Sequence, residues 1–163
     1  MDQALRIRPA EAQEAGWIRT CAELAYAAYV PLIGRKPAPM TADFSAQIAA
    51  RQVHIGFGEA APLGFVVFYP QDDHMLLENV AVLPGSRGAG VGKALIAFCE
   101  ASALACRMAG VRLYTNAKMV ENLGIYPRLG YVETGRRRED GFDRVYFEKP
   151  FARLDVAKGV GRG

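Results

Sequence analysis

Cysteine, histidine and tryptophan are scarce in this chain: three, two and one among 163 residues. Cys21, Cys99 and Cys106 are odd in number, have no metal-ligand spacing, and stand beside no histidine in the sequence. They read as small core residues in a reducing compartment, with no disulfide framework, no metal site and no thiol nucleophile indicated. Long apolar runs are also missing: nothing approaches the roughly 20 residues that span a bilayer. The opening MDQALRIRPAEAQEAG lacks the basic-then-apolar layout of a secretory signal. Nor is there an excess of one charge, because 20 Lys+Arg against 17 Asp+Glu leave a net +3. That is too mild to call for nucleic acid or an anionic membrane. What remains is the composition of an ordinary globular enzyme, expected in the cytoplasm. One domain is expected over 1–163, with its core at about 4–150 and a tail at 151–163 that carries little structural signal.

The rest of the chain is organised around Leu76–Phe98, LLENVAVLPGSRGAGVGKALIAF. Met75 to Leu83 is almost continuously apolar, which predicts a strand buried on both faces, ended by Pro84. Four glycines follow between Gly85 and Gly92, and from Val91 the apolar residues Val91, Leu95, Phe98 and Cys99 recur at helical spacing. A helix start has unpaired amides and the positive end of the helix dipole, and glycines let a phosphate approach closely. The stretch therefore reads as a phosphate cradle with Arg87 at its mouth. Two familiar cradles fail on spacing. A P-loop needs glycine at Arg87 and Ser or Thr at Ala94; the dinucleotide fingerprint needs glycine at Lys93 or at Leu95.

Around this centre, Leu5–Arg8 alternates as a first strand, and Ala10 to about Tyr29 follows helical spacing. Val30–Met40, with three prolines and a glycine, is expected to be non-helical, and Thr41 to cap a helix at Ala42 to about Arg51. Val53–Glu59 and Leu63–Tyr69 read as a hairpin, Val111–Thr115 as a strand parallel to the central one, and Val120–Leu129 as a short irregular helix. Tyr131–Arg137 and Phe142–Glu148 form a last hairpin about Asp140-Gly141. This order predicts an α/β (α+β) fold, a mixed, mostly antiparallel twisted sheet flanked by helices.

Arg87-x-x-Gly90-x-Gly92 directly after a buried strand resembles the acetyl-CoA motif of the GCN5-related N-acetyltransferases (GNAT). Tyr126-Pro127-Arg128-Leu129-Gly130-Tyr131 is similar to that family's closing segment, in which a Tyr precedes by five residues an aromatic residue that follows Gly. The likeness runs from about Leu63 to Lys149. It departs where the family often has Asn seven residues before that Tyr: Met119 stands there, with Asn122 and Asn116 nearby. The resemblance implies the acyl-CoA N-acyltransferase fold, acetyl-CoA as co-substrate and no metal. The amides of Gly88, Ala89, Gly90, Val91, Gly92 and Lys93, with the Arg87 side chain, would bind its pyrophosphate. Its pantetheine arm would run beside Val80, Ala81 and Val82, with an amide at about Val82 polarising the acyl carbonyl, and Asn116 and Asn122 would complete the cofactor site. A homodimer is consistent with the family but no interface is legible.

Acyl transfer to an amine also needs a base for an ammonium of pKa near 10.4 and an acid for the departing thiolate. Tyr126 is the candidate acid. Glu78, a carboxylate inside an apolar strand, is the candidate base, acting directly or through water, with burial expected to raise its pKa. Its alternative role is to pair with a neighbouring arginine. His74, expected exposed at a turn, is the alternative base; His54 reads as a strand-end residue and Arg136-Arg137-Arg138 as a solvated strand end. Substrate selection would fall to the first helices and their loop, which hold Tyr26, Tyr29, Arg35 and Lys36. The expected reaction is direct transfer of acetyl from acetyl-CoA to a small-molecule primary amine. The alternative is a non-catalytic acyl-CoA-binding or sensor module on the same fold.

Overall fold

The computed structural model describes residues 5–152, so the expected tail beyond Ala152 lies outside the described residues. Seven strands form one sheet: β1 (Arg6–Pro9), β2 (Val53–Phe57), β3 (Pro62–Gln71), β4 (His74–Val82), β5 (Gly110–Asn116), β6 (Val132–Glu139) and β7 (Phe142–Pro150). Five helices accompany them: α1 (Ala15–Tyr26), α2 (Val30–Ile33), α3 (Phe44–Ala49), α4 (Val91–Ala105) and α5 (Val120–Arg128). The strand order is β1-β2-β3-β4-β5-β7-β6, and only β4 and β5 run parallel. The sheet is mixed and mostly antiparallel, as expected: α4 crosses from β4 to β5, hairpins join β2 to β3, β3 to β4 and β6 to β7, and helices make the remaining two connections.

Each face of the sheet has its own core. On one face Leu95, Ile96, Cys99 and Ala103 of α4 pack with Val66, Leu77 and Leu113, and Tyr126 joins them. On the other, Ile18 and Cys21 of α1 and Phe44 and Ile48 of α3 pack with Val53, Phe65 and Val67. Burial from both sides explains why the sequence of β4 is apolar without alternating.

Two irregularities of β4 shape the site. Opposite it, the register on β3 steps from Val67–Asn79 to Phe68–Leu77, leaving Glu78 as an extra residue in a β-bulge. The alternation of β4 slips there, so Met75 and Leu77 share the α4 face with Val80 and Val82. On its other edge β4 pairs with β5 only at Met75–Val111 and Leu76–Arg112. Beyond Leu76 that edge carries no ladder.

Gly64 of β3 lies close against the backbone of β4. A Cβ there would stand 2.5 Å from the Ala81 carbonyl oxygen and 3.2 Å from Val82 Cα, both backbone atoms that cannot swing aside. Gly64→Ala is expected to cost about 1–3 kcal/mol by overpacking, lowering the unfolding midpoint by roughly 3–10 °C in calorimetry.

Several expectations need correction. Val30–Met40 is not free of helix: α2 is one turn with Pro31 in it, and Pro39 sits in a 3-10 turn at Ala38–Met40. Proline is tolerated in a first turn, where its missing N–H has no helical partner anyway. Asp43, not Thr41, caps α3, its Oδ1 accepting from the Ala46 amide at 3.0 Å. Cys106 is exposed just past α4, while Cys21 and Cys99 are buried as expected. The final turn is as read: Asp140 (φ 52) and Gly141 (φ 79) both take left-handed backbone, as a two-residue hairpin requires.

Candidate active site

The glycine loop delivers what its sequence promises. Gly88 (φ 83) and Gly90 (φ 81) adopt left-handed backbone, and Gly90 is the N-cap of α4. No side chain caps that helix, and among the described residues the amides of Val91, Gly92 and Lys93 donate to no protein group. Three bare donors at the positive end of a 15-residue helix fit a pyrophosphate. Arg87 is placed differently from the expectation. Its Nη2 donates to the Ala25 carbonyl at 2.9 Å, tying the loop to the last turn of α1. That carbonyl lacks a partner within its own helix, and a guanidinium within reach satisfies it.

A cavity of about 850 Å³ opens where β4 and β5 lose their pairing. That volume suits a ligand the size of a cofactor arm plus a small acceptor. Val80, Ala81 and Val82 line it on the β4 side, with Arg87, Gly88, Gly90, Val91, Gly92 and Lys93 at the helix start and Asn116, Asn122 and Tyr126 across from them. Of the candidate cofactor residues only Ala89 stays out of the lining.

Glu78 also lines this cavity, and the bulge sets it there. Among the described residues it pairs with no arginine. Tyr69 donates its hydroxyl to Oε1 at 2.6 Å, and Gln47 Nε2 donates to Oε2. Burial and the bond to Glu78 raise the Tyr69 phenol well above its ordinary range, so it stays a donor. The carboxylate is thereby held in one orientation while each oxygen keeps a further lone pair. Neither supporting residue was legible, because Tyr69 lies on a neighbouring strand and Gln47 on a helix 31 residues away.

Tyr126 is buried, 6% exposed, and packs edge-to-face on Tyr131 with ring centres 5.6 Å apart. The Gly130 spacing explains why: with Gly130 at φ 95, the Tyr131 amide turns back to donate to the Tyr126 carbonyl at 3.0 Å. The Tyr126 side chain borders the cavity, and among the described residues its hydroxyl bonds to no protein group. Burial raises this phenol far above its ordinary value and keeps it protonated.

The two asparagines are engaged with their own segment. Asn122 Nδ2 donates to Thr115 Oγ1 at 3.2 Å and to Met119 Sδ at 3.7 Å, while Asn116 Oδ1 accepts from the Lys118 amide at 2.9 Å. Asn79 escaped the sequence reading altogether. Its Oδ1 accepts from the Tyr26 hydroxyl at 2.7 Å and its Nδ2 donates to the Pro39 carbonyl at 3.0 Å, which fastens α1 and the following loop to the bulged strand.

Both histidines stand outside the cavity lining. His74 is not exposed, as its turn suggested, but 6% exposed, with Nδ1 2.6 Å from Asp73 and Nε2 2.6 Å from Glu148. Both nitrogens are engaged at the closed end of the β4–β5 pair, so His74 is no base for this cavity. His54 lies parallel to Phe68, ring centres 5.3 Å apart, and burial lowers its pKa.

The profile of the Acetyltransferase (GNAT) domain matches residues 49–133, more than half of the chain. The chain belongs to the GNAT acetyltransferase family. The matched segment of this GNAT protein runs from the end of α3 through the cradle and α5, and so holds the central strand and Tyr126. Its fold is that of solved family structures. PaiA N-acetyltransferase from Thermoplasma acidophilum, in complex with coenzyme A, aligns over 91% of this chain and 100% of its own (TM-score 0.74, 15% identity). The ribosomal-protein-S18-alanine N-acetyltransferase from Escherichia coli aligns over 91% and 95% (TM-score 0.71, 19% identity). Nourseothricin acetyltransferase is 23% identical over 60% of this chain, which spans 64% of that protein (TM-score 0.56). No curated protein matches the GNAT chain by sequence.

Proposed function

We propose that this GNAT protein is an N-acetyltransferase that moves the acetyl group of acetyl-CoA to a primary amine of a small molecule, by direct attack within a ternary complex. One observation carries the reading: a single cavity joins the bare amides of α4 to a held carboxylate, Glu78, and a protonated phenol, Tyr126. The fit to a pyrophosphate rests on Val91, Gly92 and Lys93, and the unpaired edge of β4 at Val80–Val82 offers its polar backbone to a pantetheine arm. Acetyl-CoA supplies an acyl group activated as a thioester.

The protein's own groups divide the remaining work. Glu78 takes the proton that the acceptor ammonium must lose before its nitrogen can bond to carbon. An amide at about Val82 donates to the acyl oxygen as negative charge gathers there, an interaction worth a few kcal/mol in a dry site. Tyr126 gives its proton to sulfur as the carbon–sulfur bond breaks. The cysteines offer no covalent route: burial holds Cys21 and Cys99 at about 12, and Cys106 is exposed outside the cavity lining.

Thermal unfolding with saturating acetyl-CoA, beside ATP and NAD, tests the cradle. Ligand at about a hundred times its Kd stabilises by roughly 2.7 kcal/mol, so the midpoint should rise by about 5–10 °C with acetyl-CoA alone. A rise with ATP or NAD and none with acetyl-CoA would sink the reading.

A further inference from the structure

One wall of the cavity holds a guanidinium that makes no hydrogen bond among the described residues. Arg144 stands on β7 opposite Asn116 of β5, lines the cavity, and has a side chain only 11% exposed. Its Cζ lies 4.5 Å from the centre of the Tyr114 ring and 5.6 Å from that of Phe142. It forms an ion pair with Asp140 at 3.6 Å, beyond hydrogen-bond length, and that carboxylate is 83% exposed. Among the described residues its guanidinium makes no hydrogen bond. The hairpin's other arginines are spent or solvated: Arg136 is paired with Glu133 and Arg138 with Asp143, both in the open, and Arg137 lies over Tyr146. Arg35, an expected substrate-selecting cation, stacks on Phe142 at 3.7 Å and donates to the Asp140 carbonyl. It is bound to the hairpin and free for nothing else.

A planar guanidinium laid over aromatic rings keeps its edge available for a two-pronged bond to an oxyanion. Arg144 lines the ligand cavity, and a guanidinium with no hydrogen-bond acceptor among the described residues is matched by the oxyanion of a ligand. Tyr114 relates this cation to the site's carboxylate. Burial raises the Tyr114 phenol, Arg144 lowers it, and Glu78, Glu139 and Asp140 raise it. The cavity lining holds Glu78 on β4, Tyr114 on β5 and Arg144 on β7, beside the charges of Arg87, Lys93, Glu121 and Arg128.

We propose that Arg144 binds the carboxylate of the acceptor while Glu78 receives its ammonium, making the acceptor a zwitterionic amine of amino-acid type. The proposal rests on the acetyltransferase reading and names the substrate class for that same site. The planar fork of one guanidinium matches the two oxygens of a carboxylate.

The test is a thiol-release assay over α-amino acids and straight-chain ω-amino acids, each beside its carboxamide, with acetyl-CoA as donor. The parent protein should favour at least one carboxylate over its carboxamide in kcat/KM by about 10- to 100-fold, the span of a charge-assisted pair. Arg144→Met should bring that ratio down toward one, and Arg144→Lys, which keeps the charge and loses the fork, should retain part of it. The lysine variant carries the test if the methionine variant does not fold. An undiminished ratio in Arg144→Met, or carboxamides acetylated as well as carboxylates, would overturn the assignment and leave the acetyltransferase reading standing. Failure to acetylate any amine, with no thermal shift by acetyl-CoA, would instead overturn the reading beneath it.

Discussion

Glu78→Gln should lower kcat at neutral pH by about a hundredfold to ten-thousandfold, the range in which a positioned base contributes. The substitution keeps the shape of the side chain and leaves an oxygen to accept from the Tyr69 hydroxyl, so the bulge and the cavity wall should persist. An undiminished thermal shift with acetyl-CoA would show that they do. The pH profile carries the specific claim. Without a base, turnover depends on the fraction of acceptor already deprotonated in solution, so the rate of the variant should climb with pH toward the amine's own pKa near 10.4. The parent's rate should level off well below that. A variant within threefold of the parent at pH 7 would remove Glu78 from the reaction.

Tyr126→Phe is the second large effect, expected at about a hundredfold in kcat through loss of the acid that protonates the departing sulfur. The change deletes one oxygen that bonds to no group among the described residues, so stability should move by less than about 0.5 kcal/mol. Kinetics and folding therefore separate cleanly at this position. The direction of its pKa adds a condition. Burial raises the phenol, and an acid with a raised pKa keeps its proton as pH climbs through the usual assay range. Any loss of parent activity on the alkaline side of that range then belongs to another group. Full turnover by the phenylalanine variant, with the thermal shift retained, would take the acid role away from Tyr126.

What was legible in the sequence was legible for local reasons. The glycines at 88, 90 and 92 stand within one turn of a helix start, where backbone freedom and bare amides are read from neighbours in the chain. Tyr126 and Tyr131 are brought together by a helix end at Gly130, again a matter of five residues. The strand run at Met75–Leu83 is long enough to declare burial on both faces. Pairings across long intervals left no such trace. Tyr26 finds Asn79 53 residues on, and Gln47 finds Glu78 31 residues on, with no periodicity linking them. Arg144 reads as one more charge on a hairpin until the sheet lays it over Tyr114. His74 misled in the other direction: two aspartates and a turn suggested solvent, but β7 brings Glu148 to its far nitrogen and closes it in. Arg87 kept its place in the loop and changed its partner, because α1 ends within its reach.

The extra residue in β4 has a further consequence, one of counting. Strike position 78 from the chain and the ladder against β3 reads Phe68–Leu77, Val67–Asn79, Val66–Val80 with no step anywhere. Every side chain of the two cores would keep its face. The carboxylate is thus an interpolation into a strand that is complete without it. Scaffold and carboxylate are separate letters of one word, and the carboxylate can be replaced without respelling its neighbours in the strand on either side.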